Sequence, residues 1–304
     1  MKNNPNSLFF LPSPIEQLDL SHWGISNRVY VKRDDLIHDV VSGNKWRKLK
    51  DNIAHYFSNC YSGIVTFGGA HSNHILASSY VAEKYRIPLN LIIRGERPKE
   101  LSPILKTCVT LGAKLHFLSR DQYKKDKSNK LFFLEKFPNN FIIPEGGANR
   151  YGISGCEAIV QEMNIDFDEI YCDVGTGTTL VGIHRKLKKN QCVRGVVVLK
   201  GSTYLNKEIN RLAQSNPSNG SIQLLHNYHF GGYAKYSEPI IEFMRAFYKQ
   251  TGIKTDPIYS AKLFYALISE LKHQTNKNVV VVVHSGGLQG LEGFEKRYGV
   301  KVYP

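Results

Sequence analysis

One lysine in this sequence occupies a position where an amine could do covalent chemistry. Lys45 lies in residues 42–49, Ser-Gly-Asn-Lys-Trp-Arg-Lys-Leu, at the start of a predicted helix that follows a predicted strand over residues 28–32. A charged amine is costly where strand meets helix inside an α/β core. A desolvated lysine amine can, however, form a Schiff base with an aldehyde. Lys45 is therefore predicted to act covalently.

A polar, glycine-rich turn follows another apolar run. Residues 68–74 read Gly-Gly-Ala-His-Ser-Asn-His. The glycines allow the backbone to approach a ligand, and the polar side chains of His71, Ser72, Asn73 and His74 follow them. For this turn taken alone, the favoured interpretation is an ordinary tight turn with Ser72 or Asn73 as the N-cap of a helix.

A further turn has the composition of an anion site. Residues 175–182 read Gly-Thr-Gly-Thr-Thr-Leu-Val-Gly after a predicted strand. Backbone N–H groups at a helix N-terminus bind anions, and threonine hydroxyls add donors. The segment lacks the Gly-Lys-Ser/Thr of a nucleotide-binding loop, and its third glycine falls two positions late for the dinucleotide fingerprint. A monophosphate therefore fits better than a pyrophosphate.

The last glycine-rich turn follows five consecutive valines at residues 279–283. Residues 284–290 read His-Ser-Gly-Gly-Leu-Gln-Gly, and structural glycines at a strand-to-helix corner explain this turn when it is taken alone. Ligands bind at the carboxyl ends of the strands in open α/β sheets. Because the lysine and all the turns are expected at such ends, one shared site is the more economical interpretation.

The elements that must position these residues alternate along the chain. Short apolar or β-branched runs occur at residues 28–32, 63–67, 88–94, 114–118, 141–143, 169–174, 193–199 and 278–284. Amphipathic stretches separate them, as in residues 45–57, where Trp46, Leu49 and Ile53 recur at helical spacing. This alternation predicts an α/β fold with mostly parallel sheets flanked by helices. The valine run is typical of a central strand buried on both faces.

Composition limits the class of protein. The chain has 304 residues, 42% of them hydrophobic and 22% charged, as in ordinary globular proteins that form one large domain or two smaller ones. No apolar run approaches the roughly 18 residues that span a bilayer, and the apolar patch in residues 1–14 is too short for a signal peptide. The 5 cysteines lack a Cys-x-x-Cys pair, which favours reduced thiols, a cytoplasmic location and no metal site.

The chain is strongly basic, with a net charge of +14 from 40 basic and 26 acidic residues. Such a charge could attract nucleic acid, an anionic membrane or a phosphorylated ligand. The lysines and arginines are scattered, and no recognisable nucleic-acid motif accompanies them. A solvated surface with no nucleic-acid or membrane partner is the favoured interpretation, and a non-catalytic, basic nucleic-acid-binding protein is the alternative from another class.

Taken together, these motifs resemble the 1-aminocyclopropane-1-carboxylate deaminase/D-cysteine desulfhydrase family of pyridoxal-phosphate enzymes, which is related to the tryptophan synthase β chain. The specific pairing is Ser-Gly-Asn-Lys-x-Arg-Lys-Leu at residues 42–49 with Gly-Gly-x-x-Ser-Asn at residues 68–73. The resemblance implies two open, twisted, mostly parallel sheets flanked by helices. It also implies a large domain at residues 1–48 and 160–304, a small domain at residues 49–159, a homodimer, and pyridoxal 5′-phosphate as the cofactor.

The resemblance further implies residue roles. Lys45 would hold the cofactor as a Schiff base and later act as a general base. Ser72 would contact the substrate carboxylate and take part in proton transfer, Asn73 would bind the cofactor's 3′ oxygen and the substrate, Tyr259 would stack on the pyridine ring, and Tyr233 would lie beside the substrate. Each tyrosine taken alone is more often an ordinary core residue. The other candidates are Gly175, Thr176, Gly177, Thr178, Thr179 and Ser285 for the cofactor, and His71 and His74 for the substrate.

Departures from the family pattern concern the substrate. The deaminases usually carry glutamate directly after the stacking tyrosine and leucine after the histidine of the last turn, where this chain has Ser260 and Ser285. The desulfhydrases place a hydroxyl residue at the latter position, against the pyridine nitrogen. A neutral hydroxyl makes the ring a weaker electron sink and favours loss of a β-leaving group. D-cysteine is the predicted substrate, and 1-aminocyclopropane-1-carboxylate is the alternative.

Other departures surround the predicted serine and phosphate sites. His71 and His74 replace the glutamine that is common near the serine, and Leu180 replaces the usual glutamine or histidine of the phosphate turn. An imidazole titrates near neutral pH. His71 is therefore hypothesised to alter substrate choice or the pH profile, and a plain hydrogen bond from His71 to neighbouring backbone is the equally weighted alternative.

Overall fold

The protein is described by a computed structural model over residues 8–127, 129–214 and 220–304. The first seven residues of the N-terminal segment discussed above lie outside these ranges. The chain divides into two compact units, which we call unit 1 (Met1–Asn44 with Cys156–Pro304) and unit 2 (Lys45–Gly155). The domains at residues 1–48 with 160–304 and at residues 49–159 stay a prediction.

Strands and helices alternate over most of the described chain. The strands are β1 (Ile15–Leu18), β2 (Val29–Lys32), β3 (Gly63–Gly69), β4 (Leu89–Arg94), β5 (Lys114–Leu118), β6 (Asn140–Ile143), β7 (Glu169–Val174), β8 (Cys192–Val197), β9 (Ser221–Leu225) and β10 (Val280–Val283). The helices are α1 (Asn44–Phe57), α2 (Asn73–Lys84), α3 (Pro103–Thr110), α4 (Arg120–Asp126), α5 (Lys130–Lys136), α6 (Arg150–Gln161), α7 (Thr178–His184), α8 (Tyr204–Gln214), α9 (Glu238–Thr251), α10 (Ser260–Lys272) and α11 (Leu291–Tyr298).

Unit 1 is built on a six-stranded sheet in the order β1-β2-β10-β7-β8-β9. β1 runs antiparallel to β2, and the other neighbours are parallel. Val283 of β10 pairs with Lys32 of β2, and Val282 pairs with Tyr171 of β7. The segments that follow β2, β7 and β10 therefore leave the sheet at the same edge, and these segments contain three of the predicted motifs.

Unit 2 is built on a four-stranded parallel sheet in the order β5-β4-β3-β6. Its core packs Phe67 of β3 edge-to-face against Phe133 of α5, with ring centroids 4.9 Å apart. Ile92 and Tyr123 belong to the same buried cluster. The polar turn at residues 70–72 connects the end of β3 to α2, so it too lies at the carboxyl end of a strand.

Apolar burial explains the central strands of unit 1. All four residues of β10 are buried, and β10 lies between β2 and β7 as the valine run predicts. Leu263 and Leu267 of α10 pack with Val280 and Val282 in the same core cluster. Full burial of each such side chain contributes about 1.5–3 kcal/mol to folding. The predicted central position of this strand is confirmed.

The predicted fold class, an α/β protein with two mostly parallel sheets flanked by helices, is confirmed. Each predicted run forms a strand, whereas β1 and β9 were not predicted from the sequence. Both lie at the edges of their sheet, where strands are short and keep polar, exposed residues, so their apolar signal is weak. Within the described ranges, none of the helices combines the length and the apolar character needed to cross a membrane.

Candidate active site

The loop before the predicted catalytic lysine packs directly on the turn after β10. Gly43 has a φ of +64° and Gly286 a φ of +80°. A side chain on Gly43 would overlap the carbonyl of Ser285, and one on Gly286 would overlap the hydroxyl of Ser42. The Asn44 N–H also donates to the Ser285 carbonyl at 3.4 Å. The two motifs thus form one structure, because glycine alone allows this backbone approach.

A buried polar network supports the same loop. The Lys32 amine donates to the Ser13 carbonyl at 2.7 Å and to the Glu162 carboxylate at 2.9 Å. The Ser13 hydroxyl donates to the Asp34 carboxylate at 2.6 Å, and the Gly43 N–H donates to the Asp34 carbonyl at 2.8 Å. Buried charges with such partners specify one geometry. This network therefore fixes the backbone that leads into α1 and Lys45.

The threonine-rich turn after β7 has hydroxyls available for a ligand. Gly177 precedes α7 with a φ of +81° and supplies no side-chain cap. The Thr176 and Thr178 hydroxyls are hydrogen-bonded at 3.0 Å. The Thr179 hydroxyl is buried, and it has no hydrogen-bond partner among the described residues. Since an unsatisfied buried hydroxyl is costly, this turn fits an anionic group that accepts hydrogen bonds.

The two predicted tyrosines lie together beside this turn. A side chain on Gly175 would come within 3.5 Å of the Tyr259 ring. The rings of Tyr233 and Tyr259 meet edge-to-face, with centroids 6.1 Å apart. Burial, with contributions from Tyr233 and Asp173, raises the pKa of Tyr259 well above its ordinary value. Tyr259 is therefore a neutral phenol at physiological pH.

Asp256 fixes the backbone of Tyr259, and sequence analysis missed this role. The buried Asp256 carboxylate accepts from the N–H groups of Ile258 at 2.9 Å, Tyr259 at 3.1 Å and Ser260 at 2.8 Å. The Ser260 hydroxyl donates to the same carboxylate at 2.8 Å and accepts from the Asp256 N–H at 2.7 Å. The available signal is an aspartate shortly before the apolar residues of α10, since acidic residues cap helix N-termini.

Asp256 also connects Tyr259 to the turn after β10. A side chain on Gly287, two residues after Ser285, would come within 2.9 Å of the Asp256 carboxylate. Ser285 itself is buried, with 4% of its surface exposed. Unit 1 thus brings together the phosphate-type turn at residues 175–179, the two tyrosines and Ser285.

Unit 2 holds the other predicted residues. Ser72 is the N-cap of α2 and accepts from the His74 N–H at 3.2 Å, which confirms the ordinary cap interpretation; its catalytic role stays a prediction. Gly68 leaves room for the Ser72 hydroxyl, because a side chain at position 68 would come within 2.9 Å of that hydroxyl. The buried Asn73 Oδ1 has no hydrogen-bond partner among the described residues. His71 is exposed.

His74 points into unit 2 and is neutral. Its Nε2 lies 2.9 Å from the Thr66 hydroxyl, which itself donates to the Ile143 carbonyl, so Nε2 carries the proton. Burial lowers the pKa of His74 to about 3, with help from the charges of Lys45 and Lys48. His74 and the half-buried Lys45 therefore lie close enough to interact, and the substrate contact predicted for His74 stays a prediction.

These residues fit pyridoxal 5′-phosphate. Unit 1 offers threonine hydroxyls for a phosphate and a neutral tyrosine ring for stacking. Unit 2 offers the Lys45 amine and an unpartnered Asn73 side-chain oxygen. An amine, a hydroxyl-rich anion site and an aromatic face are the groups that a phosphorylated aldehyde requires. The groups that the predicted cofactor requires are therefore present among the described residues.

Comparison with known proteins supports the same assignment. Residues 7–286 match the family described as "Pyridoxal-phosphate dependent enzyme". The chain is 32% identical over 306 residues to a "Putative 1-aminocyclopropane-1-carboxylate deaminase" of Thermotoga maritima, covering 94% of this chain and 97% of that protein. It is 28% identical over 317 residues to a "Bifunctional D-cysteine desulfhydrase/1-aminocyclopropane-1-carboxylate deaminase, mitochondrial" of Arabidopsis thaliana, covering 94% and 78%.

A further relative and one solved structure complete the comparison. A "D-cysteine desulfhydrase" of Serratia proteamaculans is 26% identical over 310 residues, with 92% of each chain covered. The solved structure of an "ACC deaminase homologue" superposes with a TM-score of 0.82 at 24% identity, covering 96% of this chain and 94% of that one, which shows the shared fold.

The family match decides between the two classes of function considered from the sequence. The protein is an enzyme, its cofactor is pyridoxal 5′-phosphate, and the alternative of a non-catalytic nucleic-acid-binding protein is set aside. The chain belongs to the pyridoxal-phosphate dependent enzymes, within the 1-aminocyclopropane-1-carboxylate deaminase/D-cysteine desulfhydrase family.

Proposed function

We propose that this protein is a D-cysteine desulfhydrase, which converts D-cysteine and water into pyruvate, hydrogen sulfide and ammonia. The observation that carries the proposal is the residue at position 285. Ser285 is buried, and its carbonyl contacts the loop that leads into Lys45. A neutral hydroxyl at this position is the feature that the resemblance associates with desulfhydrases.

The bound cofactor supplies an electron-accepting ring that makes the Cα–H bond of an attached amino acid acidic. The chain's own residues do the rest. Lys45 provides the amine that takes the α proton. The neutral Tyr259 provides a flat face for the ring and a phenol that can donate a hydrogen bond. The hydroxyls of Thr176, Thr178 and Thr179 would hold the phosphate.

Serines at the two positions where the deaminases carry glutamate and leucine favour β-elimination. Ser260 replaces the glutamate expected of the deaminases, and its hydroxyl donates to the Asp256 carboxylate and accepts from the Asp256 N–H. Ser285 carries a hydroxyl, which cannot keep a ring nitrogen protonated as a carboxylate would. A weaker electron sink favours prompt loss of a good leaving group, and the thiolate of D-cysteine is such a group.

The second candidate is 1-aminocyclopropane-1-carboxylate deaminase, which opens the cyclopropane ring to give 2-oxobutanoate and ammonia. The name of the Thermotoga maritima relative and the bifunctional Arabidopsis thaliana relative support this alternative. Both candidates need the Lys45 amine, but they differ in the first bond that breaks. D-cysteine gives up its α proton, whereas the α carbon of 1-aminocyclopropane-1-carboxylate carries no hydrogen, so the deaminase reaction must open the ring without α-proton removal.

A substrate comparison tests the proposal. The cofactor-loaded protein is incubated with D-cysteine, L-cysteine or 1-aminocyclopropane-1-carboxylate, and sulfide and keto acid are measured. We expect both products from D-cysteine and neither from the other compounds. Lys45→Ala is the inactive control. Ser285→Leu introduces the deaminase residue and should lower D-cysteine turnover by about tenfold, the scale of one lost polar contact.

The opposite outcome is equally clear. Keto acid from 1-aminocyclopropane-1-carboxylate with no sulfide from D-cysteine would replace the first candidate with the second.

We also propose that the protein is a cytoplasmic homodimer that binds a small amino acid as its substrate. Light scattering coupled to gel filtration tests the assembly, and a mass equal to one chain would rule out the dimer.

A further inference from the structure

One buried lysine of unit 1 has no role in the proposed chemistry. Lys262 lies on α10 with 0% of its surface exposed. Its amine donates to the carbonyl of His229 at 2.9 Å and to the carbonyl of Gly232 at 2.8 Å. Within the described residues it forms no ion pair with a carboxylate. Lysine is rarely buried in this way, because removal of its charge from water is costly.

The segment that Lys262 contacts has an unusual backbone. Within residues 229–234, φ is positive at Phe230 (+47°), Gly231 (+82°), Gly232 (+119°) and Ala234 (+50°). Residues other than glycine are strained in this region and keep such angles only when other contacts hold them. The two hydrogen bonds from the Lys262 amine are contacts of this kind.

This segment carries Tyr233, whose side chain is 40% exposed and whose ring meets Tyr259 edge-to-face. Tyr259 lies directly before α10, and Lys262 lies three residues further along the chain. The two tyrosines therefore depend on residues at the start of one helix. Asp256 holds the backbone of Tyr259, and Lys262 binds the carbonyls of His229 and Gly232 in the segment before Tyr233.

We propose that Lys262 is a positioning residue, whose amine holds residues 229–234 in the conformation that places the Tyr233 ring against Tyr259. The role of Tyr233 beside the substrate rests on the proposed function. A charged amine suits the task because it donates two charge-assisted hydrogen bonds to carbonyls that the strained backbone turns inward. Burial lowers the pKa of Lys262 to about 8, and the negative charge of Asp256 opposes this shift. The lowered pKa reflects the cost of burying the charge, which an apolar side chain would avoid.

The first test does not depend on activity. Hydrogen exchange is measured by mass spectrometry on the full-length, cofactor-loaded protein and on Lys262→Met, which keeps the side-chain length and removes the donors. We expect exchange of the Gly231 and Gly232 amides, both hydrogen-bonded to His229, to become about tenfold faster, because two carbonyls lose their partner. Lys272→Met, at the exposed end of the same helix, should leave this exchange unchanged.

Lys262→Gln is the second variant. It removes the buried charge, as Lys262→Met does, but its side-chain amide can still donate hydrogen bonds. We expect its exchange rate in residues 229–234 to lie between those of the wild type and Lys262→Met. Unchanged exchange in residues 229–234 in both variants, or equal acceleration throughout unit 1, would overturn the positioning role.

A kinetic double-mutant cycle is the second test. Lys262→Met should lower kcat/KM for D-cysteine by about tenfold, mainly through KM, and should have little effect in a Tyr233→Ala background. Equal losses in the two backgrounds would overturn the proposal. If the wild-type protein does not turn over D-cysteine, the proposed function fails, and the exchange comparison still decides whether Lys262 holds this segment.

Discussion

Tyr259 is kept neutral by its surroundings, and this determines what it can do. Burial beside Tyr233 and Asp173 raises its pKa, so the phenol keeps its proton at physiological pH. A neutral phenol can donate a hydrogen bond and presents an uncharged ring face for stacking. Burial also keeps His74 neutral. Because the charged form of an imidazole is the protonated one, burial lowers the pKa of His74 instead of raising it.

The low pKa of His74 makes a prediction about acid stability. The pKa of a histidine is about 6.5 in the unfolded chain and about 3 in the folded protein, so the unfolded chain binds more protons between these values. The free energy of unfolding should therefore fall as the pH decreases below about 6.5, by about 1.4 kcal/mol for each pH unit. Above that pH the contribution is fully retained.

His74→Gln tests this prediction, because glutamine can still donate to Thr66 and does not titrate. Urea unfolding is measured from pH 7 to pH 4.5. As the pH decreases over this range, the free energy of unfolding of the variant should fall less steeply than that of the wild type, by the equivalent of about one bound proton. A parallel pH dependence in His74→Gln and the wild type would contradict the assignment.

Some residues of the candidate site could be predicted from sequence and others could not. Ser72 is recognisable as a cap, since a serine before an apolar run has a local signature. Asp256 and Lys262 escaped notice because their roles depend on partners. Lys262 contacts His229 and Gly232, which are distant in the chain and contribute only backbone carbonyls. No pattern of residue types marks a carbonyl as an acceptor for a particular lysine.

At the scale of elements, the start of α10 is a capped helix that also presents a site residue. Three successive N–H groups donate to Asp256, so the aspartate satisfies donors that a helix N-terminus otherwise leaves unpaired. Asp256→Asn keeps one acceptor oxygen and removes the charge. Its free energy of unfolding should fall by about 2 kcal/mol, the value typical of hydrogen bonds to a charged group.

Urea unfolding at neutral pH measures this effect with saturating cofactor. Ser237→Ala is the matched control, because Ser237 precedes α9 in the same unit and makes no side-chain capping bond. The control should lose less than about 0.5 kcal/mol. Equal losses in the two variants would show that the Asp256 cap does not stabilise α10.

The elements themselves were largely predictable, for reasons that the exceptions make clear. Central strands such as β10 are buried on both faces, so their sequence is continuously apolar and easy to recognise. β1 and β9 have one neighbouring strand each and contain exposed polar residues, so their apolar signal is weaker. The packing of Gly43 on Ser285 was not predictable, because it joins two turns from opposite ends of the chain.

At the scale of the whole molecule, the chain assigns different tasks to its two compact units. Unit 1 contains the threonine-rich turn, both tyrosines and Ser285, whereas unit 2 contains Ser72, Asn73 and, as its first residue, Lys45. The lysine follows directly on the loop that the buried network of unit 1 supports. The backbone before Lys45 is thus anchored in one unit while its helix continues into the other.

The covalent bond between the cofactor and Lys45 is the central claim, and one measurement tests it directly. The cofactor-loaded protein is treated with borohydride, which makes the attachment permanent, then digested and mapped by mass spectrometry. We predict a single modified peptide with the cofactor on the Lys45 amine. An unmodified Lys45, or a label on a different lysine such as Lys48 or Lys262, would contradict the account.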